Sequence, residues 1–244
     1  SCIARFQTSY IDTLKIFYEK DSSAERKYEL FLNTKIVRDL FLDFVEVLSE
    51  TEITYADILT EFFEIMYNQL TCINTFESNI ISASSEDVDV FKNLIWELFI
   101  CVIAFMRHLK DYSAINTMLT HTYFLKTNIF GDEIKPNNYT AFRYYSRVIE
   151  HCYKPNTDMK NKYTLMGDTI CNKREKLPIF TSEAIAEADL FLYQVCNAYN
   201  LAESGNGLHR INWFPTCYIY VINAPIEWEK MRSRQYCKKM MILF

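Results

Sequence analysis

The sequence predicts a mainly α protein, with an N-terminal antiparallel helical bundle followed by a smaller helical part that contains one or two short strands. Half of the 244 residues are hydrophobic and 16% are aromatic, which is ample for a buried core. Only 4 glycines and 5 prolines are present, too few for the tight turns of an all-β fold or for glycine-rich phosphate loops. Apolar residues in the first half recur every three or four positions, the period of an amphipathic helix.

Four apolar stripes predict the helices of the bundle. The first covers residues 3–17, and the second, which a capping-box pattern at residues 22–25 precedes, covers residues 28–48. The third covers residues 55–76. The fourth is apolar nearly all round at residues 94–106, so we expect it to be the central buried helix. Short polar connections between the four favour antiparallel neighbours.

The second half of the chain is less regular. We expect a fifth helix at residues 112–125, a loop around Gly131 and Pro136 to Asn138, and one strand where β-branched and aromatic residues alternate at 213–221. Further helices are expected at residues 139–153, 163–176 and 181–201, with a closing helix from Pro225 towards Met241. These patterns predict a bundle at residues 1–128 and a smaller α-rich subdomain at residues 129–244 that packs on it.

Charge and cysteine usage bear on the compartment and the partners. Residues 1–122 hold 19 acidic and 10 basic residues, whereas residues 123–244 hold 12 acidic and 16 basic ones. The eight cysteines form no C-x-x-C pair, and most have apolar neighbours, which is typical of reduced core residues in the cytoplasm. The longest apolar run is too short to span a bilayer, so no membrane association is expected. The start without methionine and the apolar end at residues 240–244 suggest a fragment of a larger protein.

One cluster could bind and cleave RNA. Arg143, Arg147 and His151 are each four residues apart, so on a single helix they would share one face, where arginine binds phosphate and histidine transfers a proton. The cluster resembles the Arg-x4-6-His motif of the HEPN ribonucleases, an all-α family, although three residues separate Arg147 from His151 and seven separate Arg143 from it. The resemblance implies metal-independent RNA cleavage, with Arg147 and His151 catalytic.

Basic and aromatic residues alternate from Tyr139 to Lys176, a pattern that suits single-stranded nucleic acid. Arg143, Lys160 and Lys162 are the candidate phosphate contacts. The alternative interpretation is a solvated basic surface, because the net charge of the chain is −5 and would repel a polyanion.

Motifs for metals and cofactors are missing from the sequence. It contains no H-E-x-x-H, no EF-hand loop, no Walker loop and no G-x-G-x-x-G, so we expect neither a metal site nor a nucleotide cofactor. A small ligand enclosed among the aromatic residues of the bundle remains an open alternative.

The leading functional hypothesis is therefore a non-catalytic interaction or regulatory module of a larger cytoplasmic protein, which contacts a protein partner or other domains of the same polypeptide. Tryptophan and tyrosine are enriched at protein interfaces. The candidate interaction residues are accordingly Trp213, Phe214, Tyr218 and Tyr220. The competing hypothesis is the nucleic-acid-binding module with the HEPN-like site, and whether the chain is an enzyme stays open.

Overall fold

The computed structural model describes residues 1–52, 54–76, 84–131, 133–152, 165–172, 179–204 and 213–217. Helices dominate this part of the chain, which confirms the prediction of a mainly α fold. Its regular elements are α1 (Cys2–Lys15), α2 (Ala24–Asn33), α3 (Lys35–Thr51), α4 (Tyr55–Leu70), α5 (Asp89–Leu109), α6 (Tyr112–Thr120), β1 (Tyr123–Lys126), β2 (Ile134–Asn137), α7 (Arg147–Glu150), α8 (Leu165–Asn172) and α9 (Ser182–Ser204).

The chain groups into two compact units. The first contains residues 1–102 and 111–152, and the second contains residues 103–110 and 153–244. Helix α5 therefore contributes its first two thirds to the first unit and its last turns to the second. The boundary that the sequence suggested at residue 128 falls inside the first unit.

Aromatic rings join α1, α3 and α4 in the first unit. Phe6 stacks on Phe44 with ring centroids 4.1 Å apart, and Tyr10 lies 5.5 Å from Phe41. Since residue numbers rise along one helix as they fall along the other, α1 and α3 run in opposite directions, as predicted for neighbours in the bundle. Phe62 of α4 packs against Phe41 edge to face at 5.2 Å, which closes this aromatic core.

The expectation for the fourth stripe is confirmed, because residues 93–106 of α5 are all buried. The stripe contains one acidic residue and no basic one. The acidic residue is Glu97, whose carboxylate pairs with the buried guanidinium of Arg38 on α3. A helix that is apolar on all sides needs this single charge compensated, since an unpaired carboxylate in the core would be costly.

The second predicted helix is in fact two. It divides at Thr34, whose hydroxyl donates to the Phe31 carbonyl at 2.7 Å. The same carbonyl accepts from the Arg38 guanidinium at 3.2 Å. Because side chains occupy the acceptor that a continuous helix would use, the backbone ladder is interrupted there.

The predicted fifth helix is too long, and the predicted loop contains a strand. Helix α6 ends at Thr120, and β1 and β2 form an antiparallel hairpin with Phe124 opposite Pro136. The outer edge of β1 is paired by side chains of α4. Asn68 accepts from the Lys126 amide at 2.8 Å and donates to the Phe124 carbonyl at 2.9 Å, and Glu64 accepts from the Phe124 amide at 2.6 Å. Their hydrogen bonds to the backbone of β1 take the place of those that a third strand would make.

Two more predictions are corrected. Residues 139–153 do not form one helix: a 3₁₀ turn (Tyr139–Phe142) is followed by extended backbone at Arg143 and by the single turn α7. The strand expected at 213–221 is not found at residues 213–217, where Thr216 and Cys217 are helical, and residues 218–221 lie outside the described part.

A buried carboxylate organises the second unit. Asp189 of α9 accepts from the indole of Trp213 and from the Cys217 amide, both at 2.8 Å. The Ser182 hydroxyl donates to the Cys171 carbonyl at 2.7 Å, which connects the start of α9 to α8. Seven cysteines lie among the described residues, and five of them are buried.

Candidate functional site

The outward face of α3 carries three exposed aliphatic side chains in line. Ile36, Leu40 and Val47 are 80%, 50% and 58% exposed. Leu40 follows Ile36 by four positions and Val47 follows Leu40 by seven, so at 100° per residue the three lie within a narrow sector of the helix. We call these three residues the outer stripe.

The outer stripe faces outward because the opposite side of α3 is fixed in the core. Phe41, Leu42, Val45 and Leu48 are buried on that side. Arg38 adds its ion pair with Glu97 and places its guanidinium 4.3 Å from the centroid of the Phe31 ring. Helix α3 therefore has two apolar faces, and the packing of one leaves the other in solvent.

A row of carboxylates follows one flank of the outer stripe. Asp43, Glu46 and Glu50 recur at three- and four-residue spacing, and we call them the acidic ridge. In the portion of the chain that the structure describes, they have no cationic partner. Asp39 differs, because it pairs with Lys35 at 2.7 Å. On the other flank no charged residue occurs.

The structure separates the three residues of the predicted RNA site. Arg147 and His151 remain together on one exposed turn, where the His151 amide donates to the Arg147 carbonyl at 3.1 Å. Arg143 lies before this turn in extended backbone, with its guanidinium 5.9 Å from the Tyr145 ring. The continuous helix that was expected to align all three is therefore absent from residues 139–152.

A single buried carboxylate holds this segment against α5. Asp89 accepts from the hydroxyls of Tyr144 at 2.5 Å and Ser146 at 2.6 Å, and Ser146 in turn caps α7 by accepting from the Ile149 amide at 3.0 Å. Burial, and secondarily the bond to Asp89, raise the pKa of Tyr144. Burial lowers the pKa of Lys92, whose ammonium lies 5.0 Å from the Tyr144 ring centroid. Asp89 thus positions Arg147 and His151 without being exposed itself.

Of the other predicted site residues, one is buried, one is exposed and four lie outside the described residues. Trp213 is buried on Asp189, whereas Phe214 is exposed. Lys160, Lys162, Tyr218 and Tyr220 fall outside the described residues.

The sequence-based interpretation missed the outer stripe. It assigned Ile36 and Leu40 to the same buried stripe as Phe41, although a helical wheel puts the two sets on opposite sides of α3. The angular positions of Ile36 and Leu40 on that wheel were one signal in the sequence. The regular spacing of the acidic residues beside the outer stripe was a second one.

Among the described residues, no three or more histidine, cysteine or acidic side chains converge to hold a metal ion. Nor does this part of the chain contain a helix both long and apolar enough to cross a membrane. Comparison with known protein families, with curated proteins and with solved structures finds no match for the chain.

Proposed function

We propose that this chain is a non-catalytic interaction module of a larger cytoplasmic protein, and that it binds a protein partner through the outer stripe of α3. The observation that carries the proposal is the exposure of Ile36, Leu40 and Val47 on one line. Leaving large aliphatic side chains in water forfeits about 25 cal/mol for each Å² that could be buried. Aligned exposure of this kind is typical of a surface that a partner covers.

The rest of α3 supports the same function. The ion pair between Arg38 and Glu97 fixes the rotation of the helix, so the outer stripe is a preformed surface. A rigid surface loses little conformational entropy when a partner binds, which favours affinity. The partner is a separate protein or another domain of the same polypeptide.

Position-specific photocrosslinking tests this function. One variant of the full chain, produced in cells, carries a photoreactive amino acid in place of Leu40. A control variant carries the same amino acid in place of Asp57, which is exposed on α4. We expect one discrete crosslinked protein from position 40 and none from position 57, and Ile36→Ser together with Val47→Ser should abolish the product. Equal crosslinking from both positions, or a product that survives the two serines, would overturn the proposal.

A second candidate function is nucleic-acid binding, with HEPN-like cleavage as its enzymatic form. The observation in its favour is the exposed turn that keeps Arg147 and His151 on one face. A salt titration of fluorescent single-stranded RNA tests it, with Arg147→Ala and His151→Ala compared with variants of other exposed residues, Arg5→Ala and His108→Ala. Salt-sensitive binding that weakens in Arg147→Ala alone would support binding, and cleavage lost in His151→Ala would make the chain an enzyme.

A further inference from the structure

We infer that the segment that covers the outer stripe is an amphipathic helix whose polar flank is basic. This inference rests on the proposed function and names the chemistry of its partner. The outer stripe runs from Ile36 to Val47, eleven steps along α3, which at 1.5 Å per step is about 16 Å, or about three helical turns. A partner helix that crosses α3 at a shallow angle contacts it over that length.

The backbone of α3 explains why a helix fits better than an extended strand. Hydrogen bonds within α3 already use its backbone amides and carbonyls, so this surface offers a strand nothing to pair with. A strand laid on the outer stripe would bury its own unpaired backbone groups. A helix satisfies its backbone internally and presents apolar side chains at three- and four-residue spacing, which matches Ile36 and Leu40.

The acidic ridge determines the charge of the partner. Asp43, Glu46 and Glu50 lie beside the outer stripe, and in the described structure none of them has a cation to neutralise it. A partner helix with acidic flanks would bring like charges together, whereas lysine or arginine on its flank would pair with the ridge.

The same ridge disfavours other occupants. In a two-fold dimer with antiparallel α3 helices, both acidic ridges would lie on the same side of the interface and repel each other. In a parallel two-fold dimer, each ridge would face the uncharged flank of the other helix and stay unpaired. Anionic lipid surfaces and nucleic acids carry the same sign of charge as the ridge. A basic helical segment of a protein is the occupant that satisfies both the apolar stripe and the carboxylates.

Peptide binding to the full chain tests the inference. The probe is a fluorescein-labelled peptide of about 18 residues, five helical turns, with leucines along one face and lysines on the flanks. A second peptide has glutamate at every lysine position. We expect the lysine peptide to bind at least tenfold more tightly than the glutamate peptide at about 50 mM salt, with the difference reduced at about 500 mM.

Variants of the chain separate the apolar contribution from the charged one. Asp43→Asn, Glu46→Gln and Glu50→Gln combined should weaken binding of the lysine peptide about tenfold. Asp57→Asn, Glu61→Gln and Glu183→Gln combined change the net charge equally at exposed positions of α4 and α9 and should have little effect.

The apolar contribution has its own matched pair of variants. Ile36→Ser should weaken binding of the lysine peptide at least tenfold. Ile134→Ser alters an isoleucine that is also exposed, on β2, and should leave binding unchanged. Circular dichroism checks that all variants stay folded, which we expect because every substituted side chain is at least partly exposed.

The outcomes distinguish this inference from the function on which it rests. If both peptides bind equally and Ile36→Ser weakens both, the outer stripe is a docking surface, but the basic partner is wrong. The inference is also overturned if the two carboxylate triples weaken binding equally, or if neither peptide binds. In the last case a crosslink from position 40 would still support the proposed function.

Discussion

The buried pair of Arg38 and Glu97 allows a quantitative test of why the outer stripe faces solvent. Replacing Arg38 with methionine keeps an unbranched apolar chain and removes the guanidinium. The substitution breaks the ion pair, the 3.2 Å bond to the Phe31 carbonyl and the contact with the Phe31 ring. It leaves the Glu97 carboxylate, which is 1% exposed, without this counter-charge.

The expected cost follows from that burial. Removing one partner of a buried ion pair costs about 3–5 kcal/mol, because the other charge stays buried without compensation. We therefore expect Arg38→Met to lower the free energy of unfolding by about 3–5 kcal/mol, a large fraction of the 5–15 kcal/mol that typical domains have. Arg38→Met combined with Glu97→Met removes both charges and should recover most of the loss.

Urea unfolding followed by circular dichroism measures these differences, and amide hydrogen exchange in α3 and α5 locates them. Arg26→Met is the control. Arg26 on α2 pairs with Glu19 and Glu29, and all three side chains are exposed, so this substitution should change the free energy of unfolding only slightly. The reasoning would be refuted if Arg38→Met cost no more than this control, or if the double variant lost the sum of the two single losses.

Three further predictions concern other buried polar groups. Asp89→Ala should cost about 2–4 kcal/mol in urea unfolding, because two hydroxyls lose a charged acceptor; an effect equal to that of Ser146→Ala would contradict a role for both bonds. The buried Tyr123 hydroxyl donates to the Met118 carbonyl at 2.8 Å, so Tyr123→Phe should cost about 1 kcal/mol at neutral pH. Because burial raises the pKa of Tyr123, the gap should close above about pH 10, where the unfolded tyrosine ionises and the folded one does not. A gap independent of pH would argue against this. Trp213→Phe removes a donor from Asp189 and should cost about 1–3 kcal/mol, seen as faster amide exchange in α9; unchanged protection would show that the bond is not stabilising.

The helices were predictable where the apolar pattern is long. Helices α1, α4 and α5 coincide with stripes of three turns or more, for which the helical period is clear. The hairpin was not predictable, because four residues in each strand are too few to show an alternation. Its first strand is also completed by Asn68 and Glu64, which lie about 60 residues earlier in the chain.

In the candidate RNA site, one position, that of Arg143, could not be predicted from the sequence for the same reason, a contact with a distant part of the chain. The spacing of Arg147 and His151 correctly places them on one turn. Arg143 leaves their helix because the residues after it, Tyr144 and Ser146, bond to Asp89. No local preference of residues 139–153 reveals that acceptor, since it lies on another helix.

The sequence alone determined the mainly α character of this protein, because neither its low glycine content nor the helical period of its apolar residues depends on contacts between distant segments. It also contained the residues of the outer stripe and the acidic ridge. Only the tertiary structure decided which apolar face of α3 is buried, because that choice depends on Glu97, Phe62 and other partners distant in the chain. A helical pattern fixes the relative directions of its side chains, whereas long-range packing and the pairing of buried charges decide which of those directions faces water.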